Sequence, residues 1–237
     1  MFSIYKREMH AYFISPIGYT FVAVFLAISG GLFALTTAWS QTTDVSLYFA
    51  FMVYAFTVLI PILTMKLFSE ERKTKTEQIL LTSPVSLFGM VFAKFLAAFT
   101  LYAATTVFSC VFNYHVLKAV AGKAPVTQLF NGSAVGILFL GAAFIAIGVF
   151  MSAISENQIV SAMATFGVIL FMMLSSSIIS LIGNSFFRSI FRWFSVVDRY
   201  AYFTRGIFSV PAIIYFVSIV IVFLFLTTRI YEMRRWN

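Results

Sequence analysis

Six stretches of about twenty mostly apolar residues constrain this chain more than any other feature. They run over 17–37, 48–67, 87–116, 135–154, 159–182 and 211–228. A helix needs roughly 20 such residues to cross the hydrocarbon core of a bilayer, and the third stretch is long enough to tilt or to project beyond it. Backbone polar groups find no water in lipid, so only helices and closed barrels span it. The alternating ten-residue segments of a barrel are absent. The expected fold is therefore an all-α integral membrane protein, a single transmembrane domain over 1–237. Composition agrees: 61% of the residues are apolar and 10% charged, against about 25% charged in a soluble domain. Too little charge remains to clothe a water-facing surface, and this apolar content excludes disorder.

The net charge of +8 invites a nucleic-acid reading. In so apolar a chain it points instead to loops facing anionic headgroups, and no nucleic-acid partner is expected. Cys110 is the single cysteine, which excludes an internal disulfide and a multi-Cys metal site. No metal site is expected. Charges interrupt the first residues and no small-residue cleavage site follows, so they do not read as a signal peptide.

An even number of spans puts both termini on one side. Lys6, Arg7, Lys66, Arg72, Lys73, Lys75, Arg229, Arg234 and Arg235 fall there, and Lys118, Lys123, Arg188, Arg192, Arg199 and Arg205 on the other. The bias predicts cytoplasmic termini, with the four arginines of the last loop running against it. Residues 1–16 predict an amphipathic helix lying in the headgroup region. Phe2, Tyr5, Met9, Tyr12 and Phe13 form its apolar stripe, Ser3, Lys6, Arg7 and His10 the other side, and Ile4 stands off the pattern. Pro16 breaks the helix before the first span.

Charge concentrates in residues 69–86, where Glu70, Glu71, Arg72, Lys73, Lys75 and Glu77 fall within eight positions. Thr74 with Glu77 three residues on has the form of a capping box. Ile79, Leu80 and Leu81 follow as a short apolar ridge. Ser83 can cap the next helix, with Pro84 at its first position. Together these predict a separate cytoplasmic helix between the second and third spans. An apolar ridge flanked by charges is a docking element; a solvated run closing a hairpin is the plainer alternative.

This segment resembles the cytoplasmic signature of ABC transporter type-2 permeases. Glu70-Glu71-Arg72 precedes Thr76, the Leu80-Leu81 pair and the Ser83-Pro84-Val85-Ser86 end. The likeness continues through Lys94 to Ala98, through Ser155-Glu156-Asn157-Gln158, and into the tail at Asp198, Arg205-Gly206 and Glu232-Arg234-Arg235-Trp236. It looks closest to the gliding-motility-associated branch. Many members have Gly just before the Thr and a carboxylate two residues after it; here Lys75 and Gln78 stand there, with Glu77 as the carboxylate.

The resemblance implies a half-transporter. Two copies, or this chain and a similar one, would form an export pathway in a bacterial plasma membrane, with an accessory subunit as a further partner. ABC ATP-binding subunits beneath would hold ATP and Mg, so this chain is expected to bind no cofactor and to be no enzyme. It carries no G-x-x-x-x-G-K-[ST] phosphate loop. The implied coupling residues are Glu70, Glu71, Arg72, Thr76, Glu77, Ile79, Leu80, Leu81 and Pro84. Glu156 and Asn157 are read as a second cytoplasmic contact or as a solvated turn. Residues 183–208, rich in arginine and aromatics, resemble short helices roofing the pathway.

Other features have plainer readings. Glu70-Glu71 with Lys75 is a weak match to the E-E-x-x-x-R of CAAX-type proteases, and His10 and His115 are expected on opposite membrane faces. Lys94 is expected to snorkel or to pair with Glu70 or Glu71. Ser175, Ser176, Ser177 and Ser180 either pack the fifth span or line the pathway. Gly132, Gly136 and Gly30-Gly31 read as close-packing points. The alternative function is a non-transporting membrane anchor for an ATPase in a motility or envelope machine. A secondary transporter would show inverted repeats and acidic residues at the midplane, and the sequence has neither.

Overall fold

The computed structural model describes residues 1–39, 44–78, 86–121, 127–181 and 185–236, and the regular structure among them is helical. Helix α1 spans Phe2–Ile14 and α2 Pro16–Phe33, continued by a π turn over Ala34–Ala38. Helices α3 (Ser46–Thr64) and α4 (Lys66–Lys73) follow. Then come α5 (Leu87–Ala121), α6 (Thr127–Ile154) and α7 (Gln158–Leu181). Two short helices, α8 (Ser185–Phe194) and α9 (Val196–Thr204), precede α10 (Val210–Trp236). Six helical stretches are long and apolar enough to cross a membrane: Pro16–Thr37, Ser46–Lys73, Leu87–Ala119, Thr127–Ile154, Gln158–Ile179 and Val210–Arg235.

The turn between α1 and α2 is set by proline. Ser15 is extended (φ −79°, ψ 149°) and Pro16 opens α2, since the residue before proline is pushed out of the helical region. Ile4, off the expected stripe, is buried together with Tyr12, whereas Phe2 is 76% exposed. The reason is tertiary: α1 lies against α5 and α2, and that contact selects the Ile4 and Tyr12 side. Tyr12 donates its hydroxyl to Leu63 O at 3.1 Å.

Helix α6 is the hub, packed against α3, α4, α5, α7, α9 and α10. Its glycines are the notches that allow this. A Cβ at Gly141 would overlap the Tyr102 ring, one at Gly148 would overlap Thr64, and one at Gly136 would meet Phe203. Tyr102 uses its notch to donate to Ile137 O at 2.6 Å. The close packing expected at Gly132 and Gly136 is thus made against α9. Gly30 and Gly31 depart from expectation, because a Cβ at either meets nothing within 4 Å.

A polar cluster that sequence reasoning missed ties α2, α3 and α5 together. Asn113 donates to Tyr48 Oη at 3.0 Å, Tyr48 Oη and Ser29 Oγ stand 2.8 Å apart, and Ser29 also bonds Ser109. All four are buried, and such bonds hold helices where lipid offers no competing partner.

The structure corrects where the charged run belongs. Glu70 to Lys73 continue the second span as α4 rather than leading into the separate helix expected from Thr74, because Glu, Arg and Lys are good helix formers. Thr74 therefore closes a helix instead of opening one: its hydroxyl donates to Glu70 O at 2.9 Å, and Lys75 takes a left-handed φ of 59°. Glu77 and Gln78 resume helical geometry. Ile79, Leu80, Leu81, Ser83 and Pro84 lie outside the described residues.

Candidate functional site

Both termini, α4 and the turn at residues 155–157 meet at one end of the bundle, joined by ion pairs. Arg72 reaches Glu156 at 2.9 Å and Arg234 reaches Glu77 at 3.2 Å. The same two arginines also cap the hub helix: Arg72 donates to Ile154 O, and Arg234 to Ala153 O at 2.8 Å. Cations there complement the negative end of the helix dipole and satisfy its last carbonyls.

The joint between α3 and α4 is repaired from the same helix. Pro61 lies inside α3, and Met65, itself in helical geometry, separates α3 from α4. The first N–H groups of a helix lack internal partners. Ser152 Oγ of α6 accepts from Phe68 N at 3.0 Å and Ser69 N at 3.1 Å, and donates to Met65 O at 3.1 Å. The charged segment is therefore fastened at both its start and its end to the central helix.

On the other flank, Glu71 Oε1 lies 2.8 Å from Arg7 and 3.0 Å from Lys94. Lys94 is 1% exposed. Its expected pairing with Glu71 forms; Glu8 at 3.1 Å is a second partner that sequence reasoning missed. Burial works against the Arg7 guanidinium, but Glu8 and Glu71 outweigh it and hold Arg7 above its ordinary value. Burial pushes the Tyr12 hydroxyl up.

Of the expected coupling residues, Glu71, Arg72 and Glu77 thus turn inward to partners. Glu70 stays exposed beside Lys66 at 3.8 Å, and Thr76 is exposed, 2.9 Å from the Thr74 hydroxyl. Asn157 Oδ1 accepts from Ile159 N at 2.9 Å, which caps the start of α7. Ser175 and Ser176 sit far from this end. They donate to their own backbone at Met172 O (2.7 Å) and Met173 O (3.3 Å), while Ser177 is exposed. His10 and His115 do not meet: α5 carries His115 21 residues beyond Lys94, roughly 30 Å at the helical rise. Among the described residues no group of three or more His, Cys, Asp or Glu could hold a metal.

Ser152, Glu8 and Arg234 are the positioning residues that sequence reasoning missed. The one available signal was Glu8, an acid in a chain with eight acidic residues. Such a charge on a helix at an apolar surface requires a partner.

A six-span helical bundle with a charged, cross-braced end defines a multi-pass membrane protein. Residues 6–171 match the family described as ABC-2 family transporter protein. The match covers well over half of the chain, so the chain belongs to that family of membrane permease subunits, whose members pair with ATP-binding subunits. No curated protein matches it.

Proposed function

We propose that this chain is the permease half of an ATP-driven exporter in a bacterial plasma membrane, with the charged end and both termini in the cytoplasm. ATP-binding subunits dock on residues 69–86, with the Ile79-Leu80-Leu81 ridge in a groove, Pro84 and the exposed Glu70 and Thr76 at its rim, and Glu71, Arg72 and Glu77 setting its register from within through their ion pairs to the bundle. Glu156 and Asn157 extend that contact. The observation carrying this reading is the double attachment of α4 to α6 through Ser152 and Arg72. A displacement of the charged segment is thereby delivered to the helix on which most of the bundle packs. ATP and Mg belong to the partner; this chain contributes position and force.

Six spans have too little perimeter to enclose a sizeable polar solute, so the pathway takes two sets. Ser176 and Ser177 of α7 are the proposed lining of that pathway, whereas Ser175 is buried within its own bundle. The branch the sequence resembles, the gliding-motility-associated permeases, is the proposed subgroup. Purified in mild detergent with a co-expressed ATP-binding subunit, the protein should show two permease chains per complex by native mass. A stable one-to-one complex that still transports contradicts the reading. Hydrolysis that no exported solute stimulates favours the membrane-anchor alternative.

A further inference from the structure

Three helices meet on one ammonium group. Lys94 Nζ, on α5, donates to Leu67 O at 2.6 Å and lies 3.0 Å from Glu71 Oε1 and 3.1 Å from Glu8 Oε1. Of its three N–H donors, two are hydrogen-bonded, to Leu67 O and Glu8 Oε1, and Glu71 balances the charge as an ion pair. The Arg7 guanidinium touches the same two carboxylate oxygens, at 2.7 Å from Glu8 and 2.8 Å from Glu71. Two cations and two carboxylates thus alternate around a closed ring with no net charge. Arg7 and Glu8 belong to α1, Glu71 to α4 and Lys94 to α5. Exposure falls inward, from 50% at the Arg7 side chain to 1% at Lys94.

Without Lys94, Glu8 and Glu71 would share Arg7 alone in a half-buried place. Neighbouring like charges disfavour one another, and breaking a buried pair leaves an uncompensated charge behind. We propose that Lys94 is a positioning residue whose charge, rather than its bulk, clamps α1 to α4, so that the N-terminal helix and the charged segment move as one body. Its part in transport rests on the reading that this segment meets the ATP-binding subunit. Helix α1 then passes each displacement through Pro16 to the first span.

The clamp itself is testable without the partner. Spin labels go on the exposed positions Lys6→Cys and Lys73→Cys in a Cys110→Ser background, and their separation is read by pulsed EPR with the full chain in lipid nanodiscs. The parent should give one narrow distribution. Lys94→Met, close in length and volume, should lengthen and broaden it. Adding Glu8→Gln to Lys94→Met leaves Arg7 balanced by Glu71 and should narrow it again. Should Lys94→Met fail to accumulate folded, Glu8→Gln alone leaves two cations on one carboxylate and should broaden the distribution too. An unchanged distribution in the available single variant overturns the proposal, as does broadening in Lys94→Met that Glu8→Gln does not reverse. Pull-down of a co-expressed ATP-binding subunit by the parent chain scores the docking reading separately. If it fails while the EPR pattern holds, the clamp stands and the docking surface is wrong.

Discussion

A single methyl group at position 141 would have to share space with the Tyr102 ring, whose hydroxyl is fixed 2.6 Å from Ile137 O. The ring is fully buried, and packed interiors yield little. Gly141→Ala should therefore destabilise the protein by about 1–3 kcal/mol, the usual range for overpacking. Gly167 offers the control: it also lies mid-helix, but nothing stands within 4 Å of its Cβ position. Gly167→Ala should be neutral or stabilise by up to about 1 kcal/mol, because alanine loses less entropy in a helix. Thermal unfolding midpoints in one detergent check both, and the shifts should have opposite signs or differ clearly in size. Such notches show in the sequence only as glycines. Gly30 and Gly136 look alike there, yet only Gly136 receives a neighbour, because the partner, Phe203, comes from a helix distant in the chain.

At the scale of elements, the six spans were legible because twenty apolar residues leave a helix little alternative in lipid. The ends of those helices were less so. Thr74 and Glu77 have the spacing of a capping box, but Glu70 to Lys73 are good helix formers that carry the preceding helix onward, so Thr74 closes it. What allows α4 to restart after Met65 is invisible locally: Ser152 lies 84 residues from Phe68. Ser152→Ala would leave Phe68 N and Ser69 N without that acceptor, at a cost of about 1 kcal/mol, typical of a lost helix cap. Amide hydrogen exchange should accelerate over residues 66–73 while α5 and α6 stay protected. Uniform acceleration through the bundle would show that Ser152 supports the whole fold rather than this joint. Glu8 was missed for the same reason, since its partner Lys94 is 86 residues away.

For the whole molecule, the fold class and the location of the charged end followed from composition and charge placement, whereas the bracing across that end followed only from structure. Orientation is the first thing to test, because Arg188, Arg192, Arg199 and Arg205 oppose the charge bias. Ile190→Cys should react with an impermeant thiol reagent added to intact cells, and Thr76→Cys should not; the reverse pattern puts the charged segment outside. The role of that segment as the entry point for ATP energy is tested most directly by comparing Leu80→Asp with Lys73→Ala. Losing an apolar anchor at the centre of an interface typically costs about 2 kcal/mol or more, whereas rim charges cost less. With expression matched and the ATP-binding subunit co-expressed in membranes, transport-linked ATP hydrolysis should be lost in Leu80→Asp. The subunit would dissociate or cycle without transport, while Lys73→Ala stays close to the parent. Normal coupling in Leu80→Asp would contradict the account.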